Sequence, residues 1–269
     1  MIDFCVICNA NTKQKKKFEY FQKPKVEKKY NLFKNKKYYR YYSECNDCSH
    51  WNSNFKFNTN KFYEGNYNNK SYNDHKSTFL KILNLKKEDS DNYYRSNRIK
   101  NFLNMKKGYK SKILDVGSGL GIFPYSMIKK GFNCDALDPD LVMVNHMKKV
   151  FKRNKGIYCG NFFKIKIKKK YDLLTLNKVL EHVENPIKFL LKAKNLLKDK
   201  GYIYLELPDI EEAMKCGKNR EEFTIEHIQG FNLSSISKIL NKIKMRLVLF
   251  ERIREPSGKY TFFCFINKL

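Results

Sequence analysis

From residue 111 onward, short apolar runs alternate with segments whose apolar residues recur every three or four positions. The runs are Lys112–Val116, Asn133–Leu137, Gly156–Tyr158, Tyr171–Leu176, Tyr202–Leu207, Leu247–Arg252 and Tyr260–Ile266. Helical periodicity fills most of the gaps, over Phe123–Lys130, Val142–Phe151, Pro186–Leu197 and Leu233–Ile243. Strands alternating with helices predict an α/β fold with a parallel, doubly wound sheet. The last two runs are separated only by Glu255-Pro256-Ser257-Gly258, too short for a helical crossover, so they are expected to pair as a C-terminal antiparallel hairpin.

Residues 51–110 are polar and aromatic, and Phe79, Leu80, Ile82 and Leu83, then Ile99, Phe102 and Leu103, recur at helical spacing. They predict two or three helices that connect to and cover the sheet. Residues 1–50 are set apart by two cysteine pairs, Cys5-Val-Ile-Cys8 and Cys45-Asn-Asp-Cys48, with 36 residues between them. Three units are therefore expected: 1–50, 51–110 and 111–269.

With 42% hydrophobic residues the chain can bury a core, and its formal charge is +28. That charge suits a nucleic acid or another anionic partner. It is spread along the whole length rather than gathered on one stripe, in a chain rich in lysine, asparagine, tyrosine, phenylalanine and isoleucine, which reads first as compositional bias. Neither a basic-then-apolar leader nor an apolar stretch of about 18 residues is visible, so a cytoplasmic protein without membrane insertion is expected. In that compartment thiols stay reduced, and paired cysteines mean metal more often than disulfide.

Ile113-Leu114-Asp115-Val116-Gly117-Ser118-Gly119-Leu120-Gly121 reads as a strand, a glycine-rich turn and the start of a helix. Such a turn lets a ligand lie against the main chain. A dinucleotide loop would need glycine where Ile122 stands, and Asp115 would repel a pyrophosphate. An acidic loop suits a cationic ligand instead. Asp138 closes the second strand about 20 residues further on, the expected place for an acid that accepts bonds from ribose hydroxyls. Asp140 reads as a helix cap.

On these residues, 111–269 resembles a class I S-adenosylmethionine (SAM) dependent methyltransferase with a Rossmann-like fold. The resemblance implies that Asp115, Gly117, Gly119 and Gly121 hold the methionyl end of SAM and Asp138 the ribose, with Asn177 among the cofactor contacts. It places Asn161 and Phe162, of Gly160-Asn161-Phe162, at the adenine, where the family commonly has an aspartate. Asn177-Lys178-Val179-Leu180-Glu181-His182-Val183-Glu184-Asn185-Pro186 is similar to the stretch after the fourth strand in the branch that methylates small molecules and sugars. The proline-proline-aromatic sequence of adenine and glutamine methylation is absent.

The two cysteine pairs supply four thiolates, the donor set of a closed, structural zinc site. Such a metal would contribute roughly 10–16 kcal/mol to a segment too small for its own core. The remaining cysteines, Cys134, Cys159, Cys216 and Cys264, stand singly and read as small buried hydrophobes. A double Cys-x-x-Cys module ahead of this core resembles the sugar C-methyltransferases and related small-molecule enzymes, in which the module helps to wall the substrate pocket. Glu226-His227 is similar to the pair that precedes an aromatic and a serine in those enzymes, where the histidine acts as base. The family's tyrosine three residues earlier is Thr224 here.

The expected activity is thus methyl transfer from SAM to a small molecule such as a sugar or nucleotide-sugar. His227, Glu226 and His182 are the catalytic candidates, and Tyr63 and Tyr67 are candidates to close the pocket. Alternatives from other classes are an RNA methyltransferase, whose lysines would bind phosphates, and a non-catalytic zinc-ribbon interaction protein. Strong salt dependence of RNA binding would mark the first, and failure to bind SAM the second.

Overall fold

The computed structural model describes residues 4–8, 10–11, 13–27, 37–55, 74–106, 111–152 and 155–269. Its N-terminal part carries strands β1 (Phe4–Cys5), β2 (Ala10–Asn11), β3 (Gln14–Tyr20), β4 (Arg40–Cys45) and β5 (Trp51–Ser53). Helices α1 (His75–Leu83) and α2 (Asp91–Lys106) follow. Then come β6 (Lys112–Val116), α3 (Ile122–Lys129), β7 (Asn133–Asp138), α4 (Leu141–Phe151), β8 (Ile157–Cys159) and β9 (Tyr171–Asn177). The chain closes with α5 (Pro186–Leu196), β10 (Leu197–Pro208), α6 (Ile210–Lys215), β11 (Gln229–Gly230), α7 (Leu233–Ile243), β12 (Met245–Arg254) and β13 (Tyr260–Lys268).

The central sheet has the order β12-β13-β10-β9-β6-β7-β8. From β10 to β8 the neighbours are parallel, and β13 pairs antiparallel with both β10 and β12. The expected doubly wound sheet and C-terminal hairpin are both present. Inner strands are apolar on both faces, as a sheet covered on both sides requires. Leu114, Leu174 and Leu205 point to the face packed by α5 and α7, and Ile113, Leu173 and Tyr204 to the face packed by α2 and α3. Helix α7 is fixed at its start by a reciprocal capping box between Asn232 and Ser235, worth about 1 kcal/mol.

β6 lies between β7 and β9, with Val116 beside Leu137 on one flank and Leu176 on the other. Strand order reverses here, and open α/β sheets bind ligands outside the carboxyl ends of such strands. The glycine loop, Asp138 and Asn177 all leave the sheet at that edge.

The N-terminal sheet departs from the expected boundaries. Its order is β11-β5-β4-β3, so it reaches Trp51–Ser53, past residue 50, within a stretch expected to be helical. It also takes its edge strand from Gln229–Gly230, by pairing Gln229 with Asn52 and Gly230 with Trp51. The reason is packing: Phe18, Tyr20, Tyr42 and Trp51 share a core with Ile210, Ala213 and Phe223. Cys5, Cys45 and Cys48 are buried in the same core as α5 and α7, and Lys242 of α7 donates to the Cys8 carbonyl at 3.1 Å.

Candidate active site

Gly117 donates its amide to the Leu137 carbonyl at 2.8 Å, which ties the loop after β6 to β7. Gly119 stands at φ +51 and an added Cβ there would meet nothing within 4 Å, so the loop presents open space at this point. At Gly117, φ +75, a Cβ would lie 2.7 Å from a methyl of Val179. Both positions need left-handed backbone, which glycine adopts without penalty. Gly121 forms the N-cap of α3.

Asp115 is buried at the end of β6 and accepts from Thr175 Oγ1 at 2.7 Å and Asn177 Nδ2 at 2.8 Å. Asn177 Oδ1 is buried with no partner, an acceptor facing a donor that the protein does not supply. Asp138 accepts from the amides of Gly119 at 2.7 Å and Asp140 at 2.9 Å, one on each oxygen, which leaves lone pairs on both. Burial pushes Asp115 up to about 6 and Asp138 up to about 7. These residues fit SAM: open space over the loop, a spare buried acceptor, and two carboxyls whose charge a cationic, hydroxyl-bearing cofactor would compensate. Asp140, as expected, caps α4.

Asn161 Oδ1 accepts the Phe163 amide at 2.9 Å in a tight turn after β8. Phe162 packs inward against Phe189 at 4.6 Å between centroids, whereas Phe163 is exposed. Tyr63 and Tyr67 lie outside the described residues.

A second group of side chains stands after β9. Leu180–His182 forms one 3-10 turn, and the His182 and His227 rings meet edge to face at 5.0 Å. His182 Nδ1 is 2.8 Å from the Glu226 carbonyl, and His227 Nδ1 is 2.9 Å from the Glu222 carbonyl. A carbonyl only accepts, so each Nδ1 carries the proton and each neutral ring has a lone pair on Nε2. Burial pushes both rings down to about 4, with their mutual repulsion adding for His182, so both are neutral at working pH. Glu226 is buried and meets the pair through its main-chain carbonyl.

Three charged residues that the sequence reading gave no role line this edge. Glu181 is 1% exposed, and neither carboxylate oxygen has a hydrogen-bond partner. Lys178, with left-handed backbone at φ +57, donates its ammonium to Thr261 Oγ1. Arg95 of α2 reaches both oxygens of Glu206 at 2.9 Å through Nε. Burial alone would raise Glu206, but Arg95 beside it wins and holds it down at about 2. Glu181 was signalled by a lone charge within Val179-Leu180-Glu181-His182-Val183, whereas Arg95 had no local signature.

A cavity of about 510 Å³ is lined by Tyr41, Asn52 and Phe55 of the N-terminal part and by Glu184, Ile228 and Gln229, which follow the two histidines in the chain, among others. That volume falls within the range of small-molecule sites.

The four N-terminal cysteines come together: Cys5 Sγ lies 3.7 Å from Cys48 Sγ, and Cys8 Sγ 3.8 Å from Cys45 Sγ. The hydrogen bond from Cys48 holds Cys5 down at about 5, while Cys48 is pushed well up. Such a cluster could bind zinc.

The family model described as a methyltransferase domain matches residues 87–248. The chain belongs to this family. The methyltransferase is 32% identical over 109 residues to a ubiquinone biosynthesis O-methyltransferase of Glaesserella parasuis, an alignment covering 36% of this chain and 45% of that protein. It thus spans less than half the length of that relative. Among solved structures it is similar to magnesium protoporphyrin IX methyltransferase (ChlM) from Synechocystis PCC 6803 with bound SAH, at a TM-score of 0.55 and 13% identity, covering 74% of this chain and 96% of that one. A SAM-dependent methyltransferase from Clostridium acetobutylicum matches at a TM-score of 0.53 and 13% identity, over 74% and 99% of the two chains. The sheet order and these likenesses give the chain a Rossmann-like fold shared with those methyltransferases. Among the described residues no helix is long and apolar enough to cross a membrane.

Proposed function

We propose that this methyltransferase acts on a small molecule, such as a sugar or nucleotide-sugar in glycan or secondary-metabolite biosynthesis. The observation that carries the reading is the glycine loop with open space at Gly119 and an orphaned acceptor on Asn177, packed at Gly117 against Val179 of the turn that leads to His182. Bound SAM supplies a methyl group activated by its sulfonium. Asp115 and Asn177 would hold the methionyl end, with Gly117, Gly119 and Gly121 giving it room. Asp138 would hold the ribose, and Asn161 with Phe162 or the exposed Phe163 the adenine.

The acceptor would enter from the cavity beneath the N-terminal sheet, and its proton would be handled at the His182–His227 pair. Glu226 fixes His182 through its carbonyl, so its part is positioning. Alignment and exclusion of water supply the rest of the rate. Cys5, Cys8, Cys45 and Cys48 would hold one zinc with no open position, a structural site.

The charge of +28 favours the RNA methyltransferase as the second reading. Both are tested by incubating the protein with methyl-labelled SAM and either a panel of sugars and nucleotide-sugars or bulk RNA. Label in a small molecule supports the first reading, and salt-sensitive label in RNA overturns it.

A further inference from the structure

We infer that Glu181, His182 and His227 form a divalent-cation site at the acceptor end of the methyltransferase pocket. One ligand atom from each lies within 4.8 Å of the other two. Nitrogen and oxygen ligands sit at about 2.0–2.2 Å from such an ion, so opposed ligands stand about 4.0–4.4 Å apart. The upper limit of 4.8 Å on the three separations is close to that spacing.

Each partner is prepared for the role. Both histidines donate Nδ1–H to a main-chain carbonyl, the arrangement that orients a metal-binding imidazole and leaves Nε2 as the ligand. Glu181 is the independent observation. A carboxyl 1% exposed with two unpartnered oxygens is costly unless something absent from the polypeptide meets it. The charge of Lys178 offsets part of that cost, but its ammonium is given to Thr261 and makes no hydrogen bond to Glu181, so both carboxylate oxygens still lack a donor. Two imidazoles and one carboxylate suit manganese, iron, cobalt or zinc, and leave positions for an acceptor oxygen.

The inference rests on the methyltransferase reading and deepens it. A hydroxyl entering those positions loses its proton to solvent more readily, because the cation stabilises the oxyanion. The oxyanion then forms the O–C bond as the S–C bond of SAM breaks, and the cofactor leaves as its demethylated thioether. In this form the histidines act on the acceptor through the cation.

Manganese is the probe, because it disfavours thiolates and so avoids the cysteine cluster. The full-length protein, treated with a mild chelator that leaves the four-thiolate site loaded, is titrated with Mn2+ and free ion is counted by electron paramagnetic resonance. About one bound Mn2+ per chain is expected, with affinity reduced at least tenfold in Glu181→Gln and in His227→Asn. Calorimetric SAM binding on the same samples shows that each variant is folded. Should Glu181→Gln fail to fold, Glu181→Asp, which keeps the charge but shortens the reach, is expected to bind Mn2+ more weakly than wild type. Wild type without bound Mn2+, or with affinity unchanged in the variants, overturns the site. SAM binding without Mn2+ leaves the methyltransferase reading standing, and Mn2+ without SAM removes that reading alone.

Discussion

Replacing Cys45 and Cys48 together with serine tests the N-terminal cluster most sharply. With Zn–S at about 2.3 Å, a regular tetrahedron has an S–S edge of about 3.8 Å. The two cross-knuckle distances, 3.7 and 3.8 Å, match that edge, whereas a disulfide would bring sulfurs to about 2.05 Å. All four sulfurs lie within 4.8 Å of one another, close enough to share one ion. Because Cys5, Cys45 and Cys48 are buried with Ile236, Ile239 and Leu240 of α7, loss of the ion exposes a wall of the main core as well as the knuckles. Zinc in small modules of this kind is worth about 10–16 kcal/mol, so the double variant is expected to lose the ion and the packing of β3, β4 and β5. Elemental analysis of protein purified without chelators should give about one tightly held zinc per chain, absent from the variant. Wild type with no tightly bound metal, or a double variant that keeps it, would refute the reasoning.

Gly119→Ala adds a Cβ into open space at φ +51. It should cost about 1–2 kcal/mol of stability, a fall in Tm of roughly 2–8 °C, and weaken SAM more than tenfold by calorimetry; unchanged SAM affinity would take the cofactor off this loop. Arg95→Met strips Glu206 of its main partner and should cost about 3–5 kcal/mol in urea unfolding, with a loss under about 1 kcal/mol counting against a buried pair. Asp115 and Asp138, raised to about 6 and about 7, gain their negative charge as pH rises, so SAM should bind more tightly at about pH 8 than at about pH 5.5. Without cofactor the sign of stability is opposite. A raised carboxyl contributes stability that is fully present below its unfolded value of about 4 and is lost as pH rises through about 7, so without SAM the contribution of Asp138 to stability should fall between about pH 5.5 and about pH 8. A SAM affinity flat across this range would contradict the assignment of both acids.

The sheet was legible because its inner strands are short unbroken apolar runs between amphipathic helices, and Leu233–Ile243 begins and ends where its periodicity does. Strands without such a run were missed. β3, Gln14–Tyr20, carries three consecutive lysines and buries only Phe18 and Tyr20. β5 and β11 span three and two residues and exist because they pair with each other. β10 begins at Leu197 although Lys198, Asp199 and Lys200 read as a polar loop, because Leu197 pairs with Tyr171. At the site, residues that touch a ligand through local geometry were readable from spacing, as with the glycine loop and Asp138. Arg95 was not, and the lone charge of Glu181 was visible without its role, since the meaning of both depends on burial and on partners that only the fold brings near.

The most direct test of the central claim is calorimetric titration of SAM into the purified wild type and Asp138→Ala. The account predicts one site per chain in the wild type and an affinity lower by about 1–3 kcal/mol in the variant, about 5-fold to 150-fold. A folded wild type that does not bind SAM, or a variant that binds it equally well, would contradict it.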